Sequence, residues 1–83
     1  MTEHQTISDV ELRKKIRRKE LALGGNKTLK IYGTLHCFSG KRIKRQNRVF
    51  FASEEEAGAL GYRPCGHCMK QKYRHWKHIY GSV

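Results

Sequence analysis

Tyr62-Arg63-Pro64-Cys65-Gly66-His67-Cys68 is the stretch whose reading decides the fold. Two cysteines two residues apart in a Gly-containing turn can fold as a tight knuckle. Backbone N–H groups then turn toward the sulfurs, and both thiolates grip one metal ion. Pro64 fixes φ and donates no N–H, so it sets the approach to Cys65 rigidly. The chain has 83 residues and one further cysteine, Cys37, 28 residues upstream of Cys65. Three cysteines cannot pair off completely, which argues against a disulfide framework. A redox use of the pair needs a βαβ context that the pattern does not supply. What remains is a zinc site built on Cys37, Cys65 and Cys68.

Zinc wants a fourth ligand, and the histidines are the candidates. His75 lies seven residues past Cys68, about 10 Å further along a continuous helix, too far for a shared ion. His67 lies inside the knuckle, where its side chain points away from the metal. His36 neighbours Cys37, and adjacent residues can converge in a loop, so His36 is the first choice. His67, a water, or no fourth protein ligand stays open behind it.

Eighty-three residues make a single domain at a size where a hydrophobic core barely suffices, and hydrophobic residues are 37% of the chain. A core that thin invites a metal staple. No apolar run approaches the roughly 18 residues that span a bilayer. The polar start Met1-Thr2-Glu3-His4-Gln5 is no secretory leader. A cytoplasmic protein is expected, where thiols stay reduced and available to metal. Eighteen Lys and Arg against seven acidic residues give a formal charge of +11. Charge of that size speaks about partners, and nucleic acid comes before an anionic membrane.

Outward from the knuckle, local signals place the other elements. Residues 1–7 carry no periodicity and read as a disordered tail, leaving 8–83 as the single domain. Ser8 and Glu11 form a capping box that opens a basic helix, with Val10, Leu12 and Ile16 on its inner face. Gly24-Gly25 reads as a breaker. Leu29 to Tyr32 alternates as a strand, Gly33-Thr34 breaks it, and Arg48-Val49-Phe50-Phe51 is a second strand. Ser53 and Glu56 cap a short helix from Glu54 to Leu60 that ends at Gly61, with Ala57 and Leu60 inward. After Cys68, the residues Met69, Tyr73, Trp76 and Tyr80 mark one face of a helix. That aromatic face is expected to be core, with Trp76 as its anchor, rather than a platform for stacking bases. The sum is an α+β domain, a short antiparallel sheet with two to three helices, stabilised by zinc.

Between Cys37 and the second strand, Lys41, Arg42, Lys44, Arg45 and Arg48 concentrate five cations beside the third thiol. Held at its base by metal, such a loop would offer cations to phosphates, contacts that position a protein without reading sequence.

Ser53 to Cys68, an acidic Ala-rich helix followed by Gly-aromatic-Arg-Pro-Cys-x-x-Cys, resembles the second half of the N-terminal zinc domain of the bacterial Ada DNA-repair protein. Tyr32-Gly33, Cys37, Ser39-Gly40-Lys41-Arg42 and Asn47-Arg48-Val49-Phe50-Phe51 resemble small stand-alone Ada-like metal-binding proteins more closely still. The likeness covers about residues 29–76. In the repair protein four cysteines, C-x3-C then C-x2-C, hold zinc, and one of the first pair accepts a methyl group from a methylated DNA phosphate. By position Cys65 and Cys68 match the second pair and Cys37 the second member of the first. The position four before Cys37 is Gly33, which has no thiol. The resemblance therefore implies the fold and the zinc, and leaves this chain without the residue that aligns with the methyl acceptor.

Taken together, the expected protein is a monomeric zinc module that presents a basic surface to nucleic acid, DNA first, without catalysis and without a small-molecule substrate. Two alternatives stay beside it. One is a methyl acceptor that uses zinc-bound Cys37, and the other an adaptor for an acidic protein partner.

Overall fold

A computed structural model of the chain describes residues 1–37 and 42–80. Its frame is a five-stranded sheet in the order β1-β4-β2-β3-β5, flanked by three helices. The strands are β1 (Thr2–Glu3), β2 (Leu23–Asn26), β3 (Ile31–Thr34), β4 (Arg48–Phe51) and β5 (Arg63–Pro64). The helices are α1 (Asp9–Arg17), α2 (Glu54–Ala59) and α3 (Lys70–Tyr80). The domain is α+β as expected, but the sheet is mixed rather than antiparallel, because β5 runs parallel to β3.

β4 divides the interior. Successive strand residues face opposite sides, so Val49 and Phe51, both 0% exposed, join Leu23, Tyr32, Ala57 and Tyr62 on one face. Phe50 joins Leu12 and Leu21 on the other. The Phe51 and Tyr62 rings meet edge to face at 4.8 Å.

Gly24-Gly25, expected only to stop a helix, lies in the middle strand, β2, which pairs with β4 on one side and β3 on the other. A Cβ on Gly25 would sit 2.8 Å from the Ile31 carbonyl oxygen and 3.0 Å from the Phe51 ring. Close approach of backbone and ring overrides glycine's poor strand propensity here. The β2–β3 turn is organised by Asn26, whose side-chain oxygen accepts from the Thr28 and Leu29 N–H groups at 2.9 and 3.1 Å. Lys30 completes it at φ 56°. β3 accordingly starts at Ile31 and runs through Gly33-Thr34, which had read as a break.

Residues 1–7 are not a loose tail. β1 pairs with β4 in the register Thr2↔Phe50 and Glu3↔Val49, and the Lys27 ammonium reaches the Glu3 carboxylate at 2.7 Å. Two residues are too few to show a period, which is why the strand escaped notice.

Both capping serines act as read: Ser8 Oγ accepts from Glu11 N–H and Ser53 Oγ from Glu56 N–H, each at 3.2 Å. Gly61 closes α2 at φ 86°, its N–H reaching Gly58 O while Tyr62 N–H reaches Ala57 O. α1 ends earlier than Gly24, by the same motif with Lys19 at φ 61°: Lys19 N–H bonds Ile16 O and Glu20 N–H bonds Lys15 O. Of its apolar face Leu12 is buried and Ile16 half-buried, while Val10 is exposed; Leu60 of α2 also faces out. α3 departs most from expectation, since it has no buried residue at all. Trp76 is half-buried, so Phe51 and Val49 anchor the fold instead.

Candidate metal centre

The site forms where β3 and β5 lie side by side. Arg63 N–H donates to Lys30 O and Cys65 N–H to Tyr32 O, both at 2.8 Å. This pairing delivers the knuckle to the end of β3. From the other direction β3 turns back on itself, Cys37 N–H reaching Thr34 O at 3.2 Å. Cys37 and Cys65 are buried and Cys68 half-buried. Their three sulfurs lie within 4.8 Å of one another.

Cys37 Sγ and Cys65 Sγ are 3.7 Å apart. A disulfide is about 2.05 Å long, and all three cysteines are free thiols. Two sulfurs bound to one tetrahedral zinc at about 2.3 Å are separated by about 3.8 Å. The spacing fits metal. The second layer fits as well: His67 N–H points at Cys65 Sγ (3.4 Å) and Thr34 N–H at Cys68 Sγ (3.3 Å), donors that favour thiolate over thiol. The first of these is the knuckle bond expected; the second comes from β3.

Burial pushes the Cys68 thiol up, and the neighbouring Cys37 and Cys65 push the same way, against the Thr34 hydrogen bond that lowers it. A metal ion has to displace the Cys68 proton, so metal binding releases protons and strengthens with pH.

Gly33 makes the packing possible. A Cβ there would lie 2.7 Å from Cys68 Sγ and 3.1 Å from Cys65 Cβ. The residue that stands where the resemblance puts a fourth thiol thus aims its missing side chain at the other ligands. Nothing in the chain pattern gives that direction.

His36 does not enter the cluster. It is exposed in the tight turn that leads to Cys37, so the turn that buries the thiol carries the neighbouring imidazole outward. His67 and His75 are exposed too, and among the described residues no histidine, aspartate or glutamate joins the three sulfurs. A cavity of about 490 Å³ opens against them, lined by Gly33, Cys37, Cys65, Arg48, Arg63 and Tyr73 among others.

The five cations separate. Lys41 lies outside the described residues. Arg42 and Lys44 are exposed. Arg45 donates to Ile7 O at 3.0 Å and lies 3.3 Å from Asp9, so it ties the N-terminal segment down. Arg48 is half-buried in β4 and faces the metal-side cavity. Sequence reasoning missed Arg63, whose guanidinium stands 4.9 Å from the centre of Tyr73 and 5.8 Å from that of Trp76.

Residues 12–71 match the family described as the metal-binding domain of Ada. The chain belongs to that family. With its three converging thiols it is a zinc-binding Ada-type domain. Among curated proteins it is 44% identical over 39 residues to an uncharacterized protein of Methanocaldococcus jannaschii. The match takes in 47% of this chain and 19% of that protein, so the chain spans less than a fifth of that relative's length. No solved structure matches it. Among the described residues no helix is long and apolar enough to cross a membrane.

Proposed function

We propose that this zinc-binding Ada-type domain presents a basic surface to nucleic acid, DNA first, and does not itself transfer methyl groups. The observation that carries the reading is the placement of charge. Arg42 and Lys44 are exposed on the segment that leaves Cys37, Arg48 lines the cavity against the sulfurs, and the chain as a whole carries +11. Zinc, when bound, would fix the base of that segment through Cys37, so the cations would meet phosphates from a rigid support. Contacts of this kind position a protein on the backbone without reading bases.

The methyl-acceptor alternative has Gly33 against it, since the aligned position has no thiol and no space for a side chain. Cys37 would have to serve as both ligand and nucleophile in a set of three. A monomer working in the reducing cytoplasm completes the proposal.

Fluorescence anisotropy of the zinc-loaded chain with short duplex DNA tests it. Affinity should fall linearly with log salt, with a slope of about −0.9 per phosphate neutralised, and Arg42→Ala with Lys44→Ala should flatten that slope by about two. No binding at low salt would leave the acidic-protein adaptor as the better reading. A gain of one methyl on Cys37 after incubation with DNA bearing methylated phosphates would establish the acceptor instead.

A further inference from the structure

The aromatic face of α3 packs at its inner end against the knuckle and Arg63, and its outer end is left exposed. Tyr73 and Trp76 lie with ring centres 6.2 Å apart and planes 16° from parallel, and Trp76 and Tyr80 follow at 5.9 Å. Arg63 extends the row from β5 by standing over both Tyr73 and Trp76. Tyr80 is 64% exposed and its neighbour Ile79 is 49% exposed. Tyr73 borders the cavity above the sulfurs, while Trp76 and Tyr80 border a second cleft of about 770 Å³ between α3 and α2. The row therefore runs from the metal centre outward along the helix. Lys70, Lys72, Arg74 and Lys77 surround it, with no acidic residue in the helix. Glu54 of α2 lines the same cleft and is paired with the Lys72 ammonium.

We infer that this row stacks the bases of unpaired nucleic acid, so that the domain prefers single strands or locally opened duplex. The inference rests on the nucleic-acid reading and names the form of the substrate. Charge complementarity selects the occupant: an apolar partner would have to cover a helix with four cations beside its rings, whereas a polyanion whose units each carry an aromatic face satisfies both features. Base–aromatic stacking tolerates any sequence, because every base has a π face, and guanidinium groups add cation–π attraction. From Tyr73 to Tyr80 the helix advances about 10 Å, room for two or three stacked units.

Trp76 is the only tryptophan in the chain, so its intrinsic fluorescence reports on the row directly. Zinc-loaded protein would be titrated with short oligo(dT) and with a duplex of equal length, following Trp fluorescence and anisotropy together. Expected are quenching by oligo(dT) with the same midpoint as the anisotropy, and a loss of about tenfold in oligo(dT) affinity for Tyr80→Ala with duplex affinity unchanged. Val10→Ala, exposed on α1 and lining neither cavity, should bind as the parent does, and zinc content should match in all three. Saturating oligo(dT) that leaves Trp76 fluorescence unchanged overturns the inference while duplex binding keeps the broader reading. Equal weakening of both nucleic acids by Tyr80→Ala overturns it as well, and absence of all binding removes both. Self-association lost in Tyr80→Ala would make the face a contact between copies instead.

Discussion

At the centre of the sheet, Val49 and Phe51 are wholly buried and Gly25 yields space to a ring. At its corner, three sulfurs gather behind Gly33, which yields space to Cys68. Both places depend on a glycine that lets something approach closely, yet what approaches differs. A ring against backbone is held by packing and the removal of apolar surface from water. Three thiols against backbone bury little and repel one another once ionised, so they need a cation between them. The corner also carries more than its own weight. Helix α3 has no buried side chain and follows directly from the knuckle, so its position depends on β5 and the cysteines. A small chain has thus divided its stabilisation between a centre that packs and an edge that coordinates.

Breaking the centre should have the largest effect. Phe51→Ala should cost about 3–5 kcal/mol, read by chemical denaturation with zinc present. For a domain of this size that approaches its whole stability. A loss below about 1 kcal/mol would mean that metal, not packing, holds the sheet.

Breaking the corner should be large but local. Removing zinc with a chelator, or replacing Cys65 with Ser, should abolish amide-exchange protection in α3 and the knuckle while β2 and β4 stay protected. Simultaneous loss of protection everywhere would make centre and corner one cooperative unit.

The two glycines sharpen the contrast. Gly25→Ala should destabilise the fold by about 1–3 kcal/mol through overpacking and leave zinc affinity in the folded fraction intact. Gly33→Ala should do the reverse, weakening zinc by displacing Cys68 while the sheet barely changes. Global unfolding in both variants would erase the distinction.

Acidification should produce the smallest change in the sheet and a larger one at the corner. The Lys27 hydrogen bond and its charge hold the Glu3 carboxyl below its usual value. Its contribution is present above the ordinary carboxylate range and fades as pH falls through the lowered value. Exposure keeps it small. Zinc should leave well before that, because protons compete for the thiolates while the carboxylates are still ionised. A pH titration that follows zinc with a colorimetric chelator and folding by circular dichroism would separate the two steps.

What the sequence made legible were features with a local signal. Ser53, Glu56 and Gly61 bound α2 through short-range hydrogen bonds that leave a fixed pattern of residue types, and β4 shows its β-branched and aromatic run. The three thiols could be grouped because cysteines are few and the knuckle spacing is specific. β2 could not be read, since Gly24-Gly25 argues locally for a break and only the rings across the sheet make it a strand. The C-terminal helix was legible as an amphipathic face, but periodicity marks a face without saying whether anything covers it. His36 failed for a similar reason: adjacency along the chain does not fix which way a turn sends two neighbouring side chains.

Native mass spectrometry of the purified chain, with a chelator control and with the variants Cys37→Ser and His36→Ala, tests the three-thiolate centre most directly. A single zinc is expected in the parent and in His36→Ala, and none in Cys37→Ser. A folded parent without zinc, or loss of the ion in His36→Ala, would contradict a centre built on Cys37, Cys65 and Cys68.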